Sequence, residues 1–188
     1  MLQVAKEKWE PIIVLANEQE KMPKELQQQA EGLVQIFNSA SNQVYFASGT
    51  YHKQTSEDSN LRSLSPDSQE IFISEANEVL DVLAGLSFAK VTHNLLKMLE
   101  SFVPVAPVDI FLRIGHTVLS GQNGGYQYES MANDLIVKLV ERYFAEYQGI
   151  FQDNQDCRET LLELLDVFVK AGWPSARRLT YKMNEIFR

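Results

Sequence analysis

His52, His93 and His116 are the only histidines of the chain, and a helical zinc pair would need two of them a single turn apart. They stand 41 and 23 residues apart, so neither H-x-x-x-H nor H-E-x-x-H occurs and no metal site is expected. His116 shares a stripe with Asp109, Arg113 and Ser120 at steps of four, three and four residues, which reads as the solvated face of a helix carrying an Asp109–Arg113 surface pair. His93 reads the same way, on a polar side with Lys97 and Glu100. Cys157 is the single cysteine, which excludes an internal disulfide and a cysteine tetrad. As a nucleophile it would need a base beside it, yet Asp153, Asp156 and Glu159 surround it, and their charge favours the neutral thiol. A structural cysteine is expected. The glycines of GQNGGYQY (residues 121–128) match neither G-x-x-x-x-G-K-S/T nor G-x-G-x-x-G, and they read as an interhelical loop rather than a phosphate cradle. Tyr126 and Tyr128 in that loop are candidate contact residues, because tyrosine offers area at low entropy cost. Most carboxylates pair with bases at helical spacing, such as Asp134 with Lys138 and Arg142 with Glu146. No catalytic site, metal site or cofactor is expected.

The elements that would position these residues are helices. Apolar residues recur at three- and four-residue spacing through nearly all of the 188 residues, and strand alternation is almost nowhere. The pattern predicts helices over Leu2 to about Met22, bent or delayed by Pro11, and over Lys24 to about Phe46. Residues 48–64 (SGTYHKQTSEDSNLRSL) are polar and lack an apolar stripe, and they read as a long loop or linker. Ser65-Pro66-Asp67 then supplies an N-cap, a proline at the first helical position and an acid in the first turn. A helix to about Ala84 follows, with Gly85 as a left-handed stop. Further helices are expected over Phe88–Val103, Pro107–Leu119 (stopped by Gly121), Glu129–Tyr147, Gln155–Lys170 (ended by Gly172) and Pro174–Phe187. The expected organisation is an N-terminal helical segment (1–47), a flexible linker (48–64) and a helical-repeat domain (65–188).

Three of these helices share a nine-residue pattern. Residues 95–103 read LLKMLESFV, residues 136–144 IVKLVERYF and residues 161–169 LLELLDVFV. Each has two aliphatics, a charge, two aliphatics, an acid, a variable residue, an aromatic and an apolar residue. The expected core is Leu95, Leu99, Phe102, Leu139, Tyr143, Leu161, Leu165 and Phe168. On this pattern residues 65–188 resemble the HEAT and armadillo class of α-solenoids, which implies consecutive antiparallel helical hairpins in an all-α array, with an irregular helical bundle as the other arrangement. The stretch DVFVKAGWPSARRLTYKMNEIFR (residues 166–188) resembles the tails of large bacterial ATP-binding proteins, which would make the chain a fragment of a longer one. No nucleotide-binding motif accompanies it, so ATP chemistry is not implied.

Charge bounds the partners. The net charge of −8 should repel nucleic acid and anionic lipid. Residues 167–188 are the exception: Lys170, Arg177, Arg178, Lys182 and Arg188 against Glu185 give net +4, leaving −12 for the other 166 residues. Arg177 and Arg178 also stand near a helix N-terminus, where the dipole disfavours them. Arg177, Arg178 and Lys182 are therefore interaction candidates. No apolar run approaches the roughly 18–20 residues of a membrane span, and a cytoplasmic protein is expected. The reading that follows is a non-catalytic helical module binding another protein, or another domain of its own chain. The alternative is an accessory nucleic-acid-binding domain using the basic C-terminal helix.

Overall fold

The structure is a computed structural model, which describes residues 1–18, 23–50, 64–86, 89–123, 130–172 and 179; at 13–18, 89, 121–123 and 130–134 it describes the backbone alone. Among these residues every regular element is a helix: α1 (Leu2–Glu18), α2 (Lys24–Ala47), α3 (Pro66–Glu75), α4 (Asn77–Ala84), α5 (Ala89–Phe102), α6 (Pro107–Asn123), α7 (Ser130–Glu146), α8 (Gly149–Asp153) and α9 (Gln155–Lys170). The fold is all-α, as the periodicity predicts.

Local signals set three of the boundaries. Ser65 caps α3 by accepting the Ser68 N–H at 3.2 Å, with Pro66 at the first position and Asp67 in the first turn. Asn154 caps α9 in the same way, accepting the Cys157 N–H at 2.9 Å. Gly172 takes φ +73° just past α9, a left-handed conformation that glycine adopts without the cost a Cβ imposes.

Three expectations need correction. Gly85 is no left-handed stop: its φ is −78° and the helix ends there in ordinary geometry. Gly121 does not stop α6, which continues to Asn123, since one interior glycine costs only about 1 kcal/mol of helix propensity. The helix expected from Pro66 to Ala84 is broken at Ala76 (φ −86°, ψ 0°), and the turn sets Asn77 and Asp81 of α4 toward α6. A fourth expectation resolves between its alternatives: α1 starts at Leu2 with Pro11 inside it, so the proline does not delay the start. The short α8 was not anticipated; it buries Phe151 against Phe111, Tyr143 and Phe144, with ring centroids 5.0, 6.5 and 5.6 Å away.

The helices pack in two rows. One row runs α1, α3–α4, α6, α8–α9, through contacts of α1 with α4, α4 with α6 and α6 with α9. The other runs α2, α5, α7, through contacts of α2 with α5 and α5 with α7. Between rows α1 meets α2, α4 meets α5, and α5 meets α6. Gly115 permits the approach of α6 to α9, because a Cβ there would lie 2.1 Å from the Thr160 methyl. Side chains of both rows meet in one apolar core, in which all eight anticipated core residues are buried.

The three similar segments differ by row. In α5 and α7, which pack together in the second row, every apolar residue of the nine is buried. In α9, on the first row, Leu162 and Val169 are 46% and 53% exposed. The start of the polar stretch is not solvated either. Ser48 and Thr50 are buried and share a hydroxyl contact at 2.8 Å, and Thr50 meets Ser101 of α5 at 3.1 Å. Residues 51–63 of the expected linker lie outside the described residues.

Candidate interaction surface

Arg113 was expected on the solvated face of its helix, and the structure overturns that. Its residue exposure is 8%, and its guanidinium is held on three sides. Nε donates to Asp109 Oδ2 at 3.0 Å, Nη1 to Asp81 Oδ1 at 2.6 Å, and Nη2 to Asn77 Oδ1. Asp109 comes from α6 itself, the other two acceptors from α4. Arg113 faces the neighbouring helix because Asp81 and Asn77, one turn apart, supply acceptors that replace water, while Asp109 and His116 of the same stripe stay exposed. So arranged, Arg113 is a clamp between α4 and α6, with its donors committed to protein groups.

His116, one turn along, is exposed and lines a cavity of about 590 Å³ with Lys6, Glu78, Asp81, Val79 and Val82, where α1, α4 and α6 meet. Burial holds its imidazole below the ordinary 6.5, Lys6 and Arg113 push the same way, and Asp81 opposes them. Neutral imidazole is thus favoured, but among the described residues no serine, threonine or cysteine lines this cavity to be activated by it. His93 is half-buried, and its imidazole is likewise lowered by burial and by Lys97.

Cys157 is fully buried at the start of α9. Burial, with Asp156 adding to it, pushes its thiol up to about 11, so the thiolate needed for nucleophilic or metal chemistry is disfavoured. Among the described residues no three of the His, Cys, Asp and Glu side chains converge as a metal-binding group. The Arg142–Glu146 pair forms as expected at 2.9 Å, and Arg142 also donates to the Glu100 carbonyl at 3.2 Å. Lys97 and Glu100 pair at 3.3 Å. Asp134 lies outside the residues whose side chains are described.

A different surface stands out on α2. Residues 32–47 (GLVQIFNSASNQVYFA) contain no Asp, Glu, Lys or Arg, in a chain whose residues are 22% charged. The buried side of this helix, with Leu33, Phe37 and Ser41, faces the core. Trp9 of α1 meets Phe37 edge to face with centroids 6.3 Å apart, and Asn94 of α5 donates to Asn42 Oδ1 at 2.9 Å. The remaining side exposes Gly32, Gln35, Ile36, Ser39, Gln43 and Phe46. An exposed helix face is normally where charges collect, and their depletion is the compositional mark of an interface core. Two cavities adjoin this face. One, of about 590 Å³, lies between α1 and α2 over Pro11, Ile12, Leu26 and Leu33, with Lys8 of α1 at its wall. The other, of about 440 Å³, is bounded by Leu2, Gln35, Ser39 and Gln43. Gly32 and Ile36 border both.

The interaction candidates read from the sequence, Tyr126, Tyr128, Arg177, Arg178 and Lys182, all lie outside the described residues. The α2 face was not among them. Its signal in the sequence is the uncharged run itself. No family model, no curated protein and no solved structure matches this chain. Among the described residues no helix is long and apolar enough to cross a membrane.

Proposed function

We propose that the chain is a non-catalytic helical-repeat module that binds another protein, or another domain of its own chain, through the outer face of α2. The observation that carries this reading is the uncharged, half-apolar side of α2 with two cavities beside it, each walled by α1 as well. Two further features support it. The ionisable groups that first suggest chemistry are committed to holding helices together (Arg113) or kept in unreactive form (Cys157). The two-row packing, in which α1 meets α2, α4 meets α5, and α5 meets α6 across the rows while each row also packs helix on helix, resembles stacked hairpins, whose usual product is a contact surface. This likeness favours the HEAT-type reading over an irregular bundle.

The test compares the wild-type chain, Ile36→Glu and the control Glu163→Lys in an extract of the cells to which the protein is native. Native size separation should place the wild type and the control in a species larger than the free chain, and Ile36→Glu at the size of the free chain. A wild type that migrates as the free chain overturns the reading. Nucleic-acid binding through residues 167–188 remains the second reading, favoured by their net +4. It requires an affinity that falls steeply as salt rises.

A further inference from the structure

Independently of the α2 face, we propose that the cavity where α1, α4 and α6 meet is a binding site for a small zwitterion, an amino acid or dipeptide with an apolar side chain. Glu78 and Asp81 take its ammonium, and Lys6 takes its carboxylate.

The charges of this cavity stand at opposite ends of α4. Glu78 lies in the first turn of that helix. Lys6 of α1 reaches over its far end, where Nζ lies 3.1 Å from the place that a Cβ on Gly85 would take. Positions 78 and 85 are about 10 Å apart along the helix, at 1.5 Å of rise per residue. Both placements suit the helix dipole, which favours an acid at the N-terminus and a base at the C-terminus. Among the described residues neither Lys6 nor Glu78 enters an ion pair. Asp81, one turn from Glu78, gives Oδ1 to Arg113. Its second oxygen is left to accept from a ligand. One recess therefore holds a positive and a negative pole that do not neutralise each other.

That polarity selects the ligand. A lone anion would leave Glu78 unanswered and be repelled by it, and a lone cation would do the same at Lys6. A molecule that carries both charges turns each toward its opposite. His116 of α6, in its neutral form, has one donor and one acceptor and so serves either pole, as does the Gln3 amide of α1. The absence of a nucleophile on the wall fits a site that holds its ligand without transforming it.

Size and lining point the same way. The volume of about 590 Å³ lies within the roughly 300–1,000 Å³ of small-molecule sites. Met1 and Leu2 of α1 face Val79 and Val82 of α4 across the recess, and this apolar wall would take an aliphatic side chain.

NMR titration of the isotopically labelled full chain tests the proposal with four probes. L-Leucine and L-leucylglycine carry both charges; isoamylamine is leucine without its carboxylate, and isocaproate is leucine without its ammonium. At least one zwitterion should shift the Val79 and Val82 methyl resonances saturably, and the amine and the acid should each bind at least about tenfold more weakly than it. Lys6→Met should weaken the zwitterion by a similar factor and leave isoamylamine binding undiminished. Glu78→Gln should weaken the zwitterion and leave isocaproate binding undiminished. The tighter of leucine and leucylglycine distinguishes an amino-acid site from a dipeptide site. The proposal is overturned if neither zwitterion gives a saturable shift, if the amine or the acid binds as tightly as the zwitterion, or if Lys6→Met leaves zwitterion affinity unchanged.

Discussion

Arg113 Nη1 on α6 and Asp81 Oδ1 on α4 lie 2.6 Å apart, and this contact, with those to Asn77 and Asp109, places a guanidinium inside the helix stack rather than on its surface. Removing it would separate α4 from α6 electrostatically while leaving two half-exposed carboxylates able to rehydrate. Arg113→Leu should therefore cost about 1–3 kcal/mol, less than breaking a fully buried pair. Arg113→Lys should recover only part, since an ammonium cannot serve three acceptors in one plane. Chemical denaturation of both variants checks this; a change under about half a kcal/mol for Leu would mean the clamp carries no stability.

Gly115 and Thr160 should behave as a pair. Gly115→Ala forces a Cβ against the Thr160 methyl and should cost about 1–3 kcal/mol by overpacking. Adding Thr160→Ser removes that methyl and should restore most of the loss, a non-additivity that a double-mutant cycle measures directly. Additive effects would show that the two helices do not approach as described.

The third similar segment gives a contrast within a single helix. Leu165 is buried and Leu162 is half-exposed on α9. Leu165→Ala should cost about 2–5 kcal/mol and Leu162→Ala less than about 1 kcal/mol. Equal losses would mean that the exposed side of α9 is covered.

Much of this architecture was legible in the sequence, for identifiable reasons. Ser65-Pro66-Asp67 is a local signal, and the structure shows it acting as a helix start. Leu95, Leu99, Leu139 and Leu161 were readable as core because burial follows the 3.6-residue period. Arg113 was misread because periodicity locates a polar stripe but not the helix it faces; Asp81 lies 32 residues away and no local pattern announces it. The break at Ala76 is equally silent, having neither proline nor glycine to mark it. The exposure of the α2 face is silent in the sequence because its apolar residues share the helical period of the core, and which of them the fold leaves exposed depends on the packing of α1 and α5.

Acidification should destabilise the fold through its histidines. His93 and His116 both have folded-state values below the ordinary 6.5, so the unfolded chain binds protons more readily than the folded one. Their contribution is present above 6.5 and is lost as pH falls through 6.5 toward the folded values. The denaturation midpoint should drop between about pH 7.5 and pH 5, and the double variant His93→Gln, His116→Gln should drop less. An equal drop in both would assign the effect to other groups.

The central claim is that the uncharged side of α2 is a contact surface, and site-specific photo-cross-linking in the native cell tests it most directly. A photoreactive amino acid replaces Ser39, exposed on that side, and in a parallel chain replaces Glu163, exposed on α9. The account predicts a discrete covalent adduct with a polypeptide from position 39 and none from position 163. No adduct from position 39, or the same adducts from both positions, would contradict it.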